Sequence, residues 1–445
     1  MTRSAMAIIV LWCGCTAGAH AAEVTDVEGL VSEVNHGAPG DTIQIAAGTY
    51  ELSAPLVPRQ GMTIRGAGAG KTVITAATAW DPGTAGLPKK ENPSAYLFSF
   101  RKTSGVTIAD MTLRGPKLHG AIFCQDCDRL ELSHLRLEQF LWSGVRTFHM
   151  DGFKVHDCVF VDAGGKQQHA GGALYMHYTT DSEFWNNRIT KTTAHASNFF
   201  GFKGRKGTGC RFHHNTVEVQ FSFEFPFEND EAIEIDHNAF SGTISIPKHG
   251  GGPQMEKGRS FHVHHNWLRK SYALEWSRNG VEVDHNLFDF SPEDDGGNLV
   301  TNHGEAASPG PTHFHDNLIR NPGRGIFWSK GVYNNFHFCN NHTKGGAPAR
   351  SEGLFGLAAA SDFGTITIRD NIFELSASHP RLLMRNEAGY RAVIENNTLV
   401  HVTDAGAFAN RDTGAPRGPR EPLSFRCGAE GEYLVDGWEV SRVGP

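Results

Sequence analysis

The chain has 445 residues, which is long for one ordinary domain but normal for a repetitive solenoid. Its formal net charge of −7 gives no reason to expect a nucleic acid as partner. Glycine and histidine are abundant, at 51 and 24 residues, and no long helical period is present.

The N-terminus has the pattern of a secretory signal peptide. Arg3 precedes an apolar run over 5–15, and the small-x-small motif AHA ends at Ala21. The run is too short to span a bilayer. We therefore expect a signal peptide over 1–21, and a secreted or periplasmic mature protein without a further membrane-spanning segment. Cleavage as a lipoprotein at Cys15 is the alternative.

A short amphipathic helix is predicted directly after this leader. In TDVEGLVSEVNHG, Thr25 or Asp26 is placed as the N-cap. The apolar residues that share one helical face are Val27, Leu30, Val31 and Val34. We expect residues 22–40 to form a cap over the open end of an apolar core.

One motif then returns along most of the chain. Two alternating apolar residues lead into a polar corner centred on Asn, and an apolar residue closes it, as in VEVDHNLF over 281–288. Upstream, Met111, Leu135 and Cys158 take the place of the Asn. An irregular spacing with a constant corner is typical of one solenoid coil per repeat, with loops of variable length. The central residues are Asn187, Asn215, Asn238, Asn266, Asn286, Asn317, Asn341, Asn371 and Asn397.

Each coil is predicted to contain three strands. A second alternating stretch, such as ALYMHY or SFEFPF, precedes the motif, and a further strand follows the corner. Parallel stacking of such coils at about 4.8 Å gives an all-β, single-stranded, right-handed parallel β-helix over 22–407. Stacked Asn amides then hydrogen-bond along the axis. Residues 408–445 lose the period and are expected to form a tail or cap.

With its cap, its stretch PGDTIQIAAGTY and its Asn-cornered coils, the chain resembles the single-domain β-helix carbohydrate-active enzymes. These include the pectate lyases and the chondroitinase B and alginate lyase group. The resemblance covers about residues 24–400. It implies the fold and an activity on carbohydrate, and it leaves the reaction open.

The strand before each motif supplies the candidate site. In FSFEF, Phe221 and Phe223 take the inward phase, so Glu224 takes the outward one. Long loops lie between 161 and 311 and predict a site over the middle coils, 170–305, with its side chains facing solvent. A solvated, charged strand face is the alternative. The outward candidates are Arg146, Tyr175, His177, Lys203, Arg205, Glu224, Lys248, Glu275, Arg278, Asn302 and His303.

These residue types suit the chemistry of a uronide lyase. Such an enzyme neutralises a carboxylate, removes the adjacent carbon proton and protonates the leaving oxygen. Lys203, Arg205 and Lys248 offer positive charge and a base, while Tyr175 and His177 offer acid–base groups. The residues expected to contact substrate are Arg146, Glu275, Arg278, Asn302 and His303.

Two groups of residues suggest metal ions. The run FENDEAIE, together with Glu224, predicts a Ca²⁺ site, with a solvated acidic turn as the alternative. The four members of that site are Glu224, Glu228, Asp230 and Glu231. Histidines also flank the corner Asn, and we expect this row to be a solvated corner rather than a metal stripe; it comprises His214, His237, His265 and His285.

Other functions remain open at this stage. A glycoside hydrolase needs two carboxylates, and Glu224 and Glu275 are candidates for an inverting pair. A uronate C5-epimerase shares the first step of a lyase. A glycan-binding surface protein without catalysis is the third class. The titratable groups in the predicted groove favour an enzyme that acts on polysaccharide, with a lyase on an acidic glycan as the leading hypothesis. We expect it to be exported, from its leader, and monomeric.

Overall fold

A computed structural model describes much of the chain. The described residues are 21–81, 92–164, 171–192, 200–224, 232–246, 260–269, 274–276, 280–290, 298–302, 312–322, 325–329, 336–345, 355–357, 365–375, 384–386, 391–400, 425–427, 433–435 and 438–441. They form three long sheets, numbered 1 to 3 in the order in which the chain visits them within a coil.

Sheet 1 precedes the Asn corner in each coil. Its strands are Ala21–Val24, Thr42–Ile45, Thr63–Arg65, Thr107–Ala109, Glu131–Ser133, Lys154–His156, Glu183–Trp185, Arg211–His213, Ile233–Asp236, Phe261–His264, Val281–Asp284, Thr312–His315, Phe336–Cys339, Thr365–Arg369 and Arg391–Glu395.

Sheet 2 follows the corner. Its strands are Gly48–Leu52, Thr72–Ala76, Thr112–Arg114, Arg136–Glu138, Val159–Val161, Arg188–Thr190, Thr216–Val217, Ala239–Phe240, Trp267–Leu268, Leu287–Asp289, Leu318–Arg320, His342–Gly345, Ile372–Leu375, Asn397–Val400, Phe425–Cys427, Tyr433–Val435 and Trp438–Ser441.

Sheet 3 completes the coil. Its strands are Tyr96–Arg101, Gly120–Asp128, Ser143–Asp151, Gly172–Thr180, Phe200–Thr208, Gln220–Glu224, Ile244–Ser245, Leu274–Trp276, Asn298–Asn302, Gly325–Ser329, Phe355–Leu357 and Met384–Asn386. The predicted three-strand coil is thereby confirmed.

The coils stack in parallel, and the fold is the right-handed parallel β-helix that the sequence predicts. Antiparallel pairing is described only in the tail, where Tyr433–Val435 joins Phe425–Cys427 to Trp438–Ser441. The last of these strands continues sheet 2 in parallel from Asn397–Val400. Among the described residues, no helix has the length and apolarity to cross a membrane.

The Asn corner is a continuous hydrogen-bonded ladder. The side-chain oxygen of Asn266, for example, accepts from both the backbone N–H and the amide of Asn238, at 2.9 and 3.0 Å. All nine central Asn are at most 2% exposed. The residue before each of them has a left-handed backbone, with φ of 54° at His237 and His265. Asp, Asn and His are enriched in this conformation, which explains the residue types that flank the corner Asn.

The apolar core runs along the axis of the coils and is closed by the predicted helix. This helix spans Val27–His36 and buries Leu30 and Val34. Asp26 is its N-cap, and the carboxylate of Asp26 accepts from the backbone N–H of Gly29 at 2.8 Å. A single turn of 3-10 helix, Pro93–Ala95, precedes the first strand of sheet 3.

Candidate active site

The candidate site lies on the outer face of sheet 3, where successive strands stack in register. Every second side chain of a strand turns to this face, so the outward positions form two parallel rows. The first row consists of Phe123, Arg146, Tyr175, Lys203 and Ser222. The second row consists of Gln125, Phe148, His177, Arg205 and Glu224.

The first row is buried, which corrects the expectation that the candidate side chains face solvent. Arg146, Tyr175 and Lys203 are 4%, 5% and 2% exposed. The alternation of side chains along each strand predicts that these residues are on the outer face. Their side chains, however, lie along the surface of the sheet and pack against adjacent strands. The guanidinium carbon of Arg146 lies 3.9 Å from the ring centroid of Phe148 and 3.7 Å from that of Tyr175. This packing holds the cation in a fixed place.

Lys203 is held between aromatic rings and a carboxylate. Its Nζ lies 4.5 Å from the ring centroid of Phe200 and 5.3 Å from that of Tyr175. The same atom lies 3.5 Å from Oε1 of Glu224. A desolvated cation–π contact is worth about 2 kcal/mol. Aromatic rings and an acid together therefore make a buried ammonium tolerable here.

Glu224 joins the two rows. Its Oε2 accepts from Nε of Arg205 at 2.9 Å, while its Oε1 faces Lys203. Because both oxygens face cationic side chains, the pairing speaks against Glu224 as a Ca²⁺ ligand. The remaining members of the predicted Ca²⁺ site lie outside the described residues: Glu228, Asp230 and Glu231.

His177 and Tyr175 form a neutral acid–base pair. Nε2 of His177 lies 3.3 Å from the Tyr175 hydroxyl. Burial lowers the pKa of His177 to about 3, helped by the positive charges of Arg146, Arg205, Lys203 and Lys206. Burial also raises the pKa of Tyr175 above its usual value of 10.0. At neutral pH the imidazole is therefore uncharged, and the phenol keeps its proton.

Lys206 and Tyr178 also belong to the site, and sequence reasoning missed both. Each directly follows a predicted outward residue, so strict alternation turns it inward. Their backbones are left-handed, with φ of 55° and 53°, which breaks the alternation. The Lys206 ammonium donates to the Tyr178 hydroxyl at 3.1 Å. The residue type at this position changes from coil to coil, for example to Asp126 and His149, so no sequence pattern marks it.

The rest of the predicted groove is described only in part. Glu275 and Asn302 are placed by backbone register. Glu275 pairs with Thr301, whereas Asn302 pairs with Trp276. Thr301, rather than Asn302, therefore continues the row of Glu275. The other predicted residues lie outside the described part of the chain: Lys248, Arg278 and His303.

No family model matches the sequence, and no curated protein matches it. Several solved structures are similar. The A-module of the mannuronan C-5 epimerase AlgE4 of Azotobacter vinelandii is 15% identical, with a TM-score of 0.45, over 85% of this chain and 96% of that one. An alginate lyase of Paenibacillus sp. is 12% identical, with a TM-score of 0.39, over 76% and 99%. PfbA, a surface adhesin of Streptococcus pneumoniae, is 10% identical, with a TM-score of 0.47, over 96% and 100%.

The expected parallel β-helix is confirmed by the stacked parallel sheets of the chain itself. These three proteins are named as an epimerase, a lyase and an adhesin. Likeness at this identity assigns no activity to the chain, because one fold hosts many functions.

Proposed function

We propose that the protein is an exported enzyme that cleaves a uronic-acid-containing polysaccharide by β-elimination on the outer face of sheet 3. One observation carries the proposal. Arg146, Lys203 and Arg205 surround a neutral His177 that contacts the hydroxyl of Tyr175. This grouping brings together the charge, the base and the acid that the reaction needs. Export rests on the predicted leader over 1–21.

The cations serve the carboxylate of the uronate. Abstraction of the proton next to a carboxylate builds negative charge on that group, and fixed positive charges stabilise it. Of Arg146, Lys203 and Arg205, the accessible cation is Arg205, because its side chain is 37% exposed. Lys203 and Arg146 are buried in the first row and act on the site through their electric field. In this arrangement Arg205 contacts the substrate, and Lys203 and Glu224 position it.

His177 is the proposed base and Tyr175 the proposed acid. The imidazole nitrogen takes the carbon proton, the electron pair forms a carbon–carbon double bond, and the glycosidic carbon–oxygen bond breaks. The phenol proton passes to the leaving oxygen. The positive charges that lower the pKa of His177 are offset when an anionic sugar binds beside them. Binding of the acidic substrate therefore makes the base stronger when it is needed.

We propose that the substrate groove continues beyond His177 and Tyr175. Glu275 extends the first row at the level of the backbone register. It is proposed to contact further sugar units, together with Lys248, Arg278 and His303. The predicted Ca²⁺ takes no step in this mechanism, and removing metal with a chelator is expected to leave the elimination chemistry in place.

A hydrolase is the less well supported alternative. Glu224 lies in the second row and Glu275 in the first, two strands apart, or about 12 Å between Cα atoms. An inverting pair needs a carboxyl separation of about 6.5–9.5 Å and one carboxyl that donates a proton. Glu224, with both oxygens facing cations, is not arranged as a proton donor.

The experiment incubates the protein with a panel of acidic and neutral polysaccharides. Three readouts monitor the reaction: the absorbance of unsaturated uronide, the number of reducing ends, and the proton NMR spectrum of the products. We expect absorbance and reducing ends to rise together on an acidic glycan only. Reducing ends without absorbance would establish a hydrolase. Inverted C5 centres without cleavage would establish an epimerase. Binding without any product would leave a glycan-binding protein.

A further inference from the structure

A second cluster of functional side chains lies on sheet 1, away from the proposed active site. It occupies the outward positions of the strands Ile233–Asp236 and Phe261–His264. The backbone register pairs Glu234 with His262, and His264 is the next outward residue on the same strand. Two imidazoles two residues apart on a strand therefore face one carboxylate on the neighbouring strand.

The three side chains converge on one point. Oε2 of Glu234 lies 2.9 Å from Nδ1 of His262 and 3.1 Å from Nε2 of His264. The ligand atoms of the three residues all lie within 4.8 Å of one another. Metal–ligand distances of about 2.0–2.1 Å in a tetrahedral site put neighbouring ligand atoms about 3.3 Å apart. The two separations from Oε2 of Glu234 are within a few tenths of an ångström of that value.

We propose that Glu234, His262 and His264 form a binding site for a divalent transition-metal ion, with Zn²⁺ as the ion that fits it best. Two imidazoles and one carboxylate are a ligand set that suits Zn²⁺, and three protein ligands leave a fourth position for water. Ca²⁺ and Mg²⁺ prefer oxygen ligands and do not suit this set.

A supporting carboxylate strengthens the assignment. Nε2 of His262, the nitrogen that faces away from Glu234, lies 2.6 Å from Oδ1 of Asp284 on the next strand. Metal-bound histidines commonly donate their other ring N–H to a carboxylate, which fixes the tautomer and the ring orientation. His262 is 16% exposed and His264 18% exposed, so both rings are largely held by their surroundings.

The cluster differs from the ordinary ion pairs of the same sheet. Elsewhere in the described strands of sheet 1, one histidine meets one acid of a neighbouring coil, as His213 meets Glu183 at 3.0 Å. Here two histidines share a single oxygen atom of Glu234. It also differs from the corner histidines, whose rings stack face to face with centroids 5.1 Å apart, as for His265 and His285. Stacked rings do not direct their nitrogens to a common point.

The ion would tie two coils together. Glu234 and the two histidines stand on strands that are adjacent in space, but residues 237–260 separate them in sequence. A ligand that binds the folded state alone raises its stability in proportion to the logarithm of the ligand concentration. The site is therefore proposed as a structural staple, independent of the chemistry on sheet 3.

The test uses the full mature chain, freed of metal with a chelator and then titrated with Zn²⁺ by calorimetry. We expect saturable binding of one equivalent and a rise in melting temperature of about 2 °C or more. Co²⁺ in place of Zn²⁺ is expected to give the visible absorption of a tetrahedral site. The variants H264Q and H262Q should each lose this equivalent and the absorption. The control variant H214A, at the stacked corner, should keep both.

Circular dichroism of each variant at the titration temperature shows whether it is folded. His264 lacks the hydrogen bond to Asp284 that His262 makes, so H264Q provides the folded variant if H262Q does not fold. Failure of the wild-type chain to bind one equivalent of Zn²⁺ would overturn the proposal. Binding of that equivalent by folded H264Q would do so as well. Neither result touches the polysaccharide assay, because no residue of sheet 3 takes part.

Discussion

Charged side chains are arranged in opposite ways on two outer faces of the same solenoid. On sheet 1, acids and bases alternate from strand to strand along one row. The row reads Glu131, Lys154, Glu183, Arg211, Glu234, His262 and Glu282. Residues of one row stand about 4.8 Å apart, so alternation places opposite charges next to each other.

On sheet 3, by contrast, cations gather. Arg146, Lys203 and Arg205 lie within three adjacent strands, and all three act on His177. Every strand of a parallel β-helix stands in the same relation to its neighbours, so geometry alone does not distinguish the two faces. Cations that gather on one face, instead of alternating with acids, suggest that the face binds an anion. Here the proposed anion is an acidic sugar.

Substitution within the cation cluster is expected to have the largest effect. Lys203→Met, His177→Ala and Tyr175→Phe should each lower turnover by at least about a hundredfold, because each removes an electrostatic or acid–base partner. The assay is the initial rate of unsaturated-uronide formation on the substrate that the panel identifies. If all three folded variants keep near-normal turnover, the site lies elsewhere in the groove.

The stability of these variants needs its own measurement. The first row is buried, so truncation of Lys203 to Ala would leave a cavity as well as remove a charge. Lys203→Met keeps most of the volume, and its denaturation midpoint separates a loss of function from a loss of fold. A solvent-facing lysine would leave the melting temperature nearly unchanged on substitution, whereas a buried one does not.

His177 on sheet 3 and His315 on sheet 1 should titrate on opposite sides of the usual histidine pKa of 6.5. Burial, with the cations, lowers the pKa of His177 to about 3, so this ring stays neutral at pH 5. Burial works against His315, but hydrogen bonds with Asp316 and Glu282 raise its pKa above 6.5. NMR of protein labelled in its histidine rings measures both values. A pKa near 6.5 for each would remove the electrostatic contrast between the faces.

The same shifts have opposite consequences for stability. The folded-state pKa of His177 is depressed, so its contribution to stability falls as pH drops below about 6.5. The contribution of His315 is fully present below about 6.5 and is lost as pH rises through its folded pKa. Denaturation of His177→Ala and His315→Ala at pH 5 and pH 8 is expected to show this difference in sign.

Breaking one pair of sheet 1 should lower stability and spare turnover. Arg211 makes two hydrogen bonds, of 2.9 and 2.8 Å, to the buried carboxylate of Asp236. In Arg211→Met, the Asp236 carboxylate keeps His237 as its partner. Because Arg211 itself is half exposed, we expect the free energy of unfolding to fall by about 1–3 kcal/mol. Urea denaturation measures the loss. A decrease in turnover per folded molecule comparable to that of Lys203→Met would contradict the separation of roles.

The smallest effect is expected at an exposed lysine of sheet 1. Lys154 stands between Glu131 and Glu183, and Lys154→Met should change stability by no more than about 0.5 kcal/mol. It carries the same substitution as Lys203→Met and is its matched control. A hundredfold loss of turnover in Lys154→Met would show that charge anywhere on the solenoid affects activity.

The sequence predicts much of the scaffold because its rules are local. A polar corner between alternating strands specifies one coil, and the buried ladder through Asn187, Asn266 and Asn397 follows from it. The left-handed residue before each Asn was not predicted. Asp, Asn and His all occupy it, so no single residue type marks the conformation.

The site is less predictable because it depends on how coils align. Strand phase assigns Tyr175, Lys203 and Glu224 to the outer face, and this much holds. The register, however, pairs Lys203 with Ser222 and Arg205 with Glu224, and loop lengths do not fix that alignment. The alternation of side chains also does not predict burial. Arg146 is on the outer face, but the rings of Phe148 on its own strand and Tyr175 on the next strand enclose it.

Recognition of an acidic sugar by the cations of sheet 3 can be measured by comparing two ligands on one protein. His177→Ala is expected to be inactive but to keep every cation of sheet 3, so it binds an intact oligosaccharide. Calorimetry compares a uronate oligosaccharide of the identified substrate with the same sugar after its carboxylates are reduced to alcohols. A charge-assisted hydrogen bond is worth about 1.5–3 kcal/mol, so we expect the reduced sugar to bind at least about tenfold more weakly. Equal affinity for the two sugars would show that the cations of sheet 3 do not recognise the acid group, and would contradict the account.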